Sequence, residues 1–458
     1  MIKVCKQNQQ SIINKLYNGT FDNVAVSMSN LADDILLSMH ENGVLKCLSE
    51  SIIDKRANNI TIPFDLILAL SIAAKLKNKT SLTDIPFAIT DHRVLAKLGY
   101  NIIDTEGNLK SSFMNEGSIR FLINKYTDNE LFSSYNKTVQ DSIMPHLDIS
   151  PNIHMLDCTE ISVNLKNENY EKSAVCINKA GDVARGYKLA TLRGIHEDSG
   201  VIEEICFGAI NTHDFKLCKN MLYSTTVLKP NDILVYDRGF IDRDITNFLK
   251  TERQVDTYIP LSRKMYAYEM AVSTAKIQNN WEQHPTRTKQ KIALVTDLKR
   301  FWESDNPEND VPINAAVSWE PESDNYFVFI TTDTTVSAKQ IIKTYELRPE
   351  IEEDYRQLKD FWNLEDFKST KLNMIAFHIL STLFGYLFFQ LYTMTPNGEQ
   401  YAHKSLPIIL KNYQTSTMPY LIFYTGNEFG ILSIVEFAEI YSLCSNSVQK
   451  KLNHVFNS

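Results

Sequence analysis

A mixed α/β fold is predicted for this sequence: a mixed sheet covered on both faces, a β-rich insertion, a helical N-terminal domain and a helical C-terminal region. Three observations carry that expectation. Apolar residues recur at helical spacing through the first third of the chain; short apolar runs bounded by turn residues replace them after Pro145 and Pro151; and helical spacing returns from Ser337 onward.

Composition bounds the rest. The 458 residues, 43% hydrophobic and 22% charged, are ordinary for a soluble chain and enough for two or three domains. Seven cysteines without a C-x-x-C pair read as free thiols in a reducing cytosol. The first residues lack the apolar stretch of a signal peptide. Only Met374–Met394 has membrane-spanning length, and His378, Ser381, Thr382, Gly385 and Gln390 interrupt it, so a buried core helix and no membrane partner are expected. The net charge of −8 leaves nucleic acid open, because a local basic groove can sit within an acidic surface.

Residues 1–145 read as the helical domain, with Ser27–Met39 and Ile62–Leu76 at helical spacing. Residues 81–100 read as two short helices around a turn, followed by a helix near Glu116–Lys125. That arrangement suits a helix-turn-helix reader of DNA, with Arg93, Lys97, Lys110 and Arg120 as its basic residues, and equally suits any small helical bundle. From 150 to 395 the texture changes. Ile153–Val163, Gly186–Arg193 and Val201–Ile210 are strands, then a helix near Asp214–Val227 is capped by His213-Asp214, and Asp232–Tyr236 and Asp256–Leu261 are strands on either side of a helix near Asp242–Lys250. Consecutive strands suggest hairpins and helix-separated strands suggest parallel crossovers, together a mixed sheet. The insertion, about residues 261–336, carries strands at Ile292–Val295, Ala315–Trp319 and Tyr326–Thr331. Ser337 caps a helix over Ala338–Leu347, and residues 396–458 hold two or three helical runs without a motif.

Three acids stand out. Asp157 interrupts the apolar run Met155-Leu156 to Ile161, and Asp237 closes Ile233–Tyr236. A carboxylate in a buried strand costs several kcal/mol unless compensated, and a divalent cation compensates it strongly; a strand-end turn or an ion pair is the plainer explanation for each acid alone. Glu352 lies in a segment where Tyr345, Arg348, Glu352 and Lys359, if helical throughout, share a wedge of roughly 60°. Pro349 complicates that helix, since proline fits only its first turn.

The spacing Tyr345-x2-Arg348-x3-Glu352-x6-Lys359 resembles the YREK signature of DDE transposases, in particular the insertion-sequence-four (IS-four) family of bacterial elements. The resemblance covers about residues 150–395. It implies an RNase H-like catalytic domain whose triad, Asp157, Asp237 and Glu352, holds two Mg²⁺ or Mn²⁺ ions. It also implies cut-and-paste transposition: excision by nicking and hairpin formation, then strand transfer, in a synaptic homodimer on double-stranded terminal inverted repeats and target DNA in the bacterial cytoplasm. Tyr345, Arg348 and Lys359 would then contact DNA phosphates, and Arg238, beside Asp237, would orient its loop or a phosphate. Relatives hold a flipped base on an insertion-domain tryptophan, for which Trp281, Trp302 and Trp319 are candidates that nothing in the sequence ranks. Pro349 departs from the bulky residue usual there. Two other readings are a catalytically retired, transposon-derived DNA-binding protein and a non-transposing nuclease of the RNase H fold.

Overall fold

A computed structural model describes residues 3–4, 6–28, 30–56, 64–89, 92–98, 100–101, 114–147, 152–177, 181–196, 199–303, 305–306, 308, 310–402, 409 and 419–457. The chain forms two compact units, residues 139–357 and residues 1–138 together with 358–458.

Within the middle unit the strands are β1 (Ile153–Val163), β2 (Ala174–Ile177), β3 (Val183–His196), β4 (Ser199–Ala209), β5 (Ile233–Tyr236), β6 (Asp256–Pro260), β7 (Glu282–Gln283), β8 (Lys291–Leu298), β9 (Ile313–Glu320) and β10 (Asn325–Thr331). Its helices are α1 (Asp214–Ser224), α2 (Arg243–Thr251), α3 (Tyr266–Gln278), α4 (Ala338–Tyr345) and α5 (Pro349–Asp360), the last running across the division between the units. All ten strands form one mixed sheet. β1 pairs antiparallel with β3 and β3 with β4, the expected hairpins. β1 pairs in parallel with β5 and β5 with β6, the expected crossovers through helices. β5 is apolar at every position because an interior parallel strand is covered on both faces.

The insertion does not form a sheet of its own. β10 pairs antiparallel with β6, and β9, β8 and β7 follow outward, so the insertion prolongs the central sheet. One apolar core runs with it, from Leu156 and Leu234 through Ile259 to Val317 and Ile330. The insertion also contains α3, which the sequence reading leaves out. Its buried face is Ala267, Ala271 and Ala275, small residues four apart that give little apolar signal.

In the other unit the helices Leu31–Glu41, Val44–Ser51, Phe64–Leu76, Glu116–Ile123 and Asp128–Lys137 accompany Leu372–Thr393. Leu372–Thr393 is the one described helix of membrane-spanning length, and 89% of its apolar window is buried inside the protein, as a core helix requires. The described residues between 81 and 100 contain a 3₁₀ turn, Ile85–Phe87, and a short helix, His92–Lys97. Among its described residues the tail holds a 3₁₀ turn, Glu399–Tyr401, the helices Ile434–Leu443 and Asn446–Asn457, and also a hairpin that the sequence reading does not place. Its strands are Pro419–Thr425 and Glu428–Ser433, and the first pairs antiparallel with Asn23–Met28.

Candidate active site

Asp157 and Asp237 reach the same place because β1 and β5 are parallel neighbours. Leu156 lies opposite Tyr236 in the last pair of the parallel ladder, so the next residue on each chain is one of the two acids: Asp237 just past the carboxyl end of β5, where open α/β sheets place their ligand sites, and Asp157 within β1, where its pairing with β5 stops. The third acid arrives on α5. The helix begins at Pro349, and α4 has already ended at Tyr345, so the signature segment is two helices with a turn between them and not one run. Proline has no N–H and disfavours helical backbone in the residue before it, which puts Pro349 at the first helical position and leaves Arg348 outside. Glu352 then falls in the first turn, where the helix dipole favours a carboxylate.

Arg348 is the centre of the arrangement. Its Nη2 lies 2.7 Å from Asp157 Oδ2 and 4.0 Å from Asp237 Oδ2, and its Nη1 lies 2.6 Å from Glu352 Oε1. All three acids therefore meet one guanidinium. Exposure rises across them, from 14% for the Asp157 side chain through 28% for Asp237 to 56% for Glu352, so the cluster is buried at one side and open at the other. Burial pushes the Asp157 carboxyl up to about 6, against the pull of Arg348 and of the Cys158 N–H that donates to Oδ1. Burial opposes the charge on Arg348, but Asp157, Tyr345 and the other two acids outweigh it and hold the guanidinium above its ordinary pKa. Its Nε is buried without a hydrogen-bond partner among the described residues, so the side chain is placed to serve the acids.

Several residues outside the sequence-predicted site fix this geometry. Tyr355 on α5 donates from its hydroxyl to the Asp157 carbonyl at 2.6 Å and shares a 2.8 Å hydrogen bond with Thr191, the residue opposite Asp157 on β3. Arg193 on β3 holds α5 through Asp354 at 2.6 Å and Glu350 at 3.0 Å. Gly200 on β4 lets that guanidinium lie against it; any Cβ there would overlap the Arg193 side chain. The legible signal was a buried arginine at the end of a strand, which demands a carboxylate. Asp214 pairs with Lys188 at 2.7 Å, and the side chain of His213 makes no cap hydrogen bond, so the expected cap is absent.

The remaining sequence candidates are spread more widely. Tyr345 packs its ring on Phe329 at 4.8 Å, and burial pushes its hydroxyl up to about 12. Arg238 is exposed in a 3₁₀ turn directly after Asp237. Lys359 lies two turns along α5 from Glu352 and is 3.6 Å from Glu365. Arg93 is buried, paired with Asp34 at 2.8 Å and stacked on Tyr420, so its charge is used inside its own unit. Lys97 pairs with Glu41 and Arg120 with Glu116; Lys110 lies outside the described residues. A groove of about 620 Å³ is lined by Arg287, Phe327, Phe329, Tyr345 and Pro349. None of the three tryptophans lines it: Trp281, Trp319 and Tyr326 cluster with one another, and Trp302 is 44% exposed.

Among the described residues no three His, Cys, Asp or Glu side chains are gathered tightly enough to hold a metal ion as they stand. The donor set is nevertheless the right kind, three hard carboxylates facing a single cationic group. The model of the transposase DDE domain family matches residues 155–388, just over half of the chain. No curated protein matches it. With the family model running from β1 past α5 and spanning Asp157 within β1, Asp237 after β5 and Glu352 on α5, the chain belongs to the transposase DDE domain family.

Proposed function

We propose that the chain is a DNA transposase of the IS-four group, performing cut-and-paste excision and strand transfer of an insertion sequence by phosphodiester hydrolysis and transesterification. The observation that carries the reading is the meeting of Asp157, Asp237 and Glu352 on one guanidinium, open to solvent at the Glu352 side.

DDE transposase domains generally use divalent metal ions. Asp157, Asp237 and Glu352 would hold Mg²⁺ or Mn²⁺, two ions in all, which when bound supply an activated water or 3′-hydroxyl and stabilise the leaving oxygen. Arg348 keeps the three carboxylates together until then; once they hold metal, its planar donors are available to a DNA phosphate, which suits a guanidinium better than an ammonium. Tyr345, Lys359 and Arg238 would position the same strand, and the groove beside Phe327, Phe329 and Tyr345 offers aromatic faces for unpaired bases. Residues 1–145 would read the terminal inverted repeats, residues 150–395 would carry the chemistry with an insertion at 261–336, and residues 396–458 would form a C-terminal region. A homodimer would bring two element ends and the target DNA together in the bacterial nucleoid.

Asp157→Ala, Asp237→Ala and Glu352→Ala proteins given terminal-repeat DNA with Mg²⁺ test this. Each is expected to bind the DNA and leave it uncut; full cleavage by any one of them removes that acid from the site. Cleavage by the unmodified protein without joining to a target would make it a nuclease, and no nicking at all would make it a retired DNA-binding relic.

A further inference from the structure

We propose that the unit formed by residues 1–138 and 358–458 contains a second binding site, a small pocket around Lys75 that takes one dianionic phosphate group.

Lys75 stands at the end of the helix Phe64–Leu76, whose other residues from Leu66 onward are buried apolar or small side chains. It is only 8% exposed, and a lysine is rarely buried without a counter-charge. Its one close partner is His378, with Nζ 2.9 Å from Nδ1. The other ring nitrogen, Nε2, lies 2.9 Å from the Asn363 carbonyl, which accepts its proton and leaves Nδ1 as a lone pair for the ammonium. The histidine is therefore neutral, and burial together with Lys75 holds it well below its ordinary pKa. It accepts a hydrogen bond and cancels no charge. No carboxylate among the described residues lies within ion-pair distance of Lys75, and Asp366 acts on it only from farther away. Burial accordingly brings the amine down to about 7.

Lys75 lines a cavity of about 70 Å³, together with Lys79, Arg120, Lys368, Thr80, Ser381 and one carboxylate residue, Glu116. Two of these four cations are already neutralised, Arg120 by Glu116 and Lys368 by Asp366. Among the described residues Lys75 and Lys79 are the two without a carboxylate partner, and one doubly charged anion matches both once its arrival keeps the Lys75 amine protonated. Size agrees: at roughly 15 Å³ for each water the cavity holds about five atoms of that size, the heavy-atom count of a tetrahedral phosphate. Thr80 and Ser381 add hydroxyl donors to the ammonium groups, the mixture that charge-assisted phosphate recognition uses. The group can come from a free phosphate compound or from the 5′ end of a DNA strand.

Full-length protein titrated with inorganic phosphate, against chloride at matched ionic strength, is expected to bind one phosphate per chain by calorimetry and to melt higher in its presence. Lys75→Met should lower phosphate affinity tenfold or more, and Lys79→Gln, an exposed and harmless change that stands in if Lys75→Met does not fold, should lower it several-fold. Unchanged affinity in the folded variants, or no binding by the unmodified protein at millimolar phosphate, overturns the proposal. A second arm compares short oligonucleotides with 5′-phosphate and 5′-hydroxyl ends. Preference for the phosphorylated end that is lost in Lys79→Gln assigns the site to DNA ends, whereas phosphate binding without that preference assigns it to a free phosphate compound.

Discussion

β1 and β5 lie side by side and carry an acid–cation cluster at each end of the four-residue stretch over which they pair. At their amino ends, His154 sits between Glu203, 2.8 Å from Nδ1, and Asp232, 3.2 Å from Nε2, with all three side chains buried. At the carboxyl end of that stretch, Arg348 sits among Asp157, Asp237 and Glu352, and there one acid is more than half exposed. The residue chemistry is similar and the surroundings differ. A cluster closed on all sides can only brace the sheet, whereas one closed on three sides and open on the fourth can exchange its cation for a ligand.

The largest expected difference between the two ends is in activity. Glu352→Gln should reduce DNA cleavage by about four orders of magnitude while leaving the melting temperature almost unchanged, as befits a group that acts on the reacting phosphate. His154→Gln should show the reverse pattern. Leaving Glu203 and Asp232 buried without their cation is expected to cost about 3–4 kcal/mol of stability in denaturant unfolding, with cleavage per folded molecule retained. Equal effects of the two substitutions on both readouts would erase the distinction.

A pH titration sharpens it. Burial opposes the charge on His154, but the hydrogen bonds it donates to Asp232 and Glu203, together with their negative charges, prevail and raise its pKa to about 9. The folded value lies above the unfolded one near 6.5, so the stabilisation is complete below about pH 6.5 and lost as pH rises toward 9, an effect of up to about 3 kcal/mol. Because the depressed amine of Lys75 acts in the opposite direction in both proteins, the His154 effect is read as a difference: the stability advantage of the unmodified protein over His154→Gln should shrink over that window. The smallest effect belongs to Arg348→Gln. Without the guanidinium the three acids repel one another, so stability should drop by about 1–2 kcal/mol, and Mn²⁺ added without DNA should restore it; an equal Mn²⁺ response in the unmodified protein would separate Arg348 from metal access.

Asp157 and Asp237 were legible in the sequence because an acid breaking or ending a short apolar run is costly and therefore conspicuous, and the mixed sheet followed from the order of strands and helices. Glu352 was legible from the spacing of its neighbours. Arg348 was recognised as important but assigned outward, toward phosphate; that it faces the acids depends on the turn forced by Pro349 and on where two distant strands end, neither of which periodicity encodes. His154 carried no signal at all, since Glu203 and Asp232 reach it from 49 and 78 residues away. The continuation of the sheet through β10 and the pairing of Asn23–Met28 with Pro419–Thr425 were hidden for the same reason, because local pattern states that a strand exists and not which strand it meets.

That last pairing has a consequence for synthesis. On the order of 400 residues separate Asn23–Met28 from its partner, so at roughly 10 residues per second a ribosome takes on the order of 40 s to deliver it. During that interval residues 139–357, which are contiguous, can fold as they emerge, while an unpaired strand edge waits in the open. Translation therefore completes the contiguous unit before the discontinuous one, and chaperone demand should fall on the earliest part of the nascent chain.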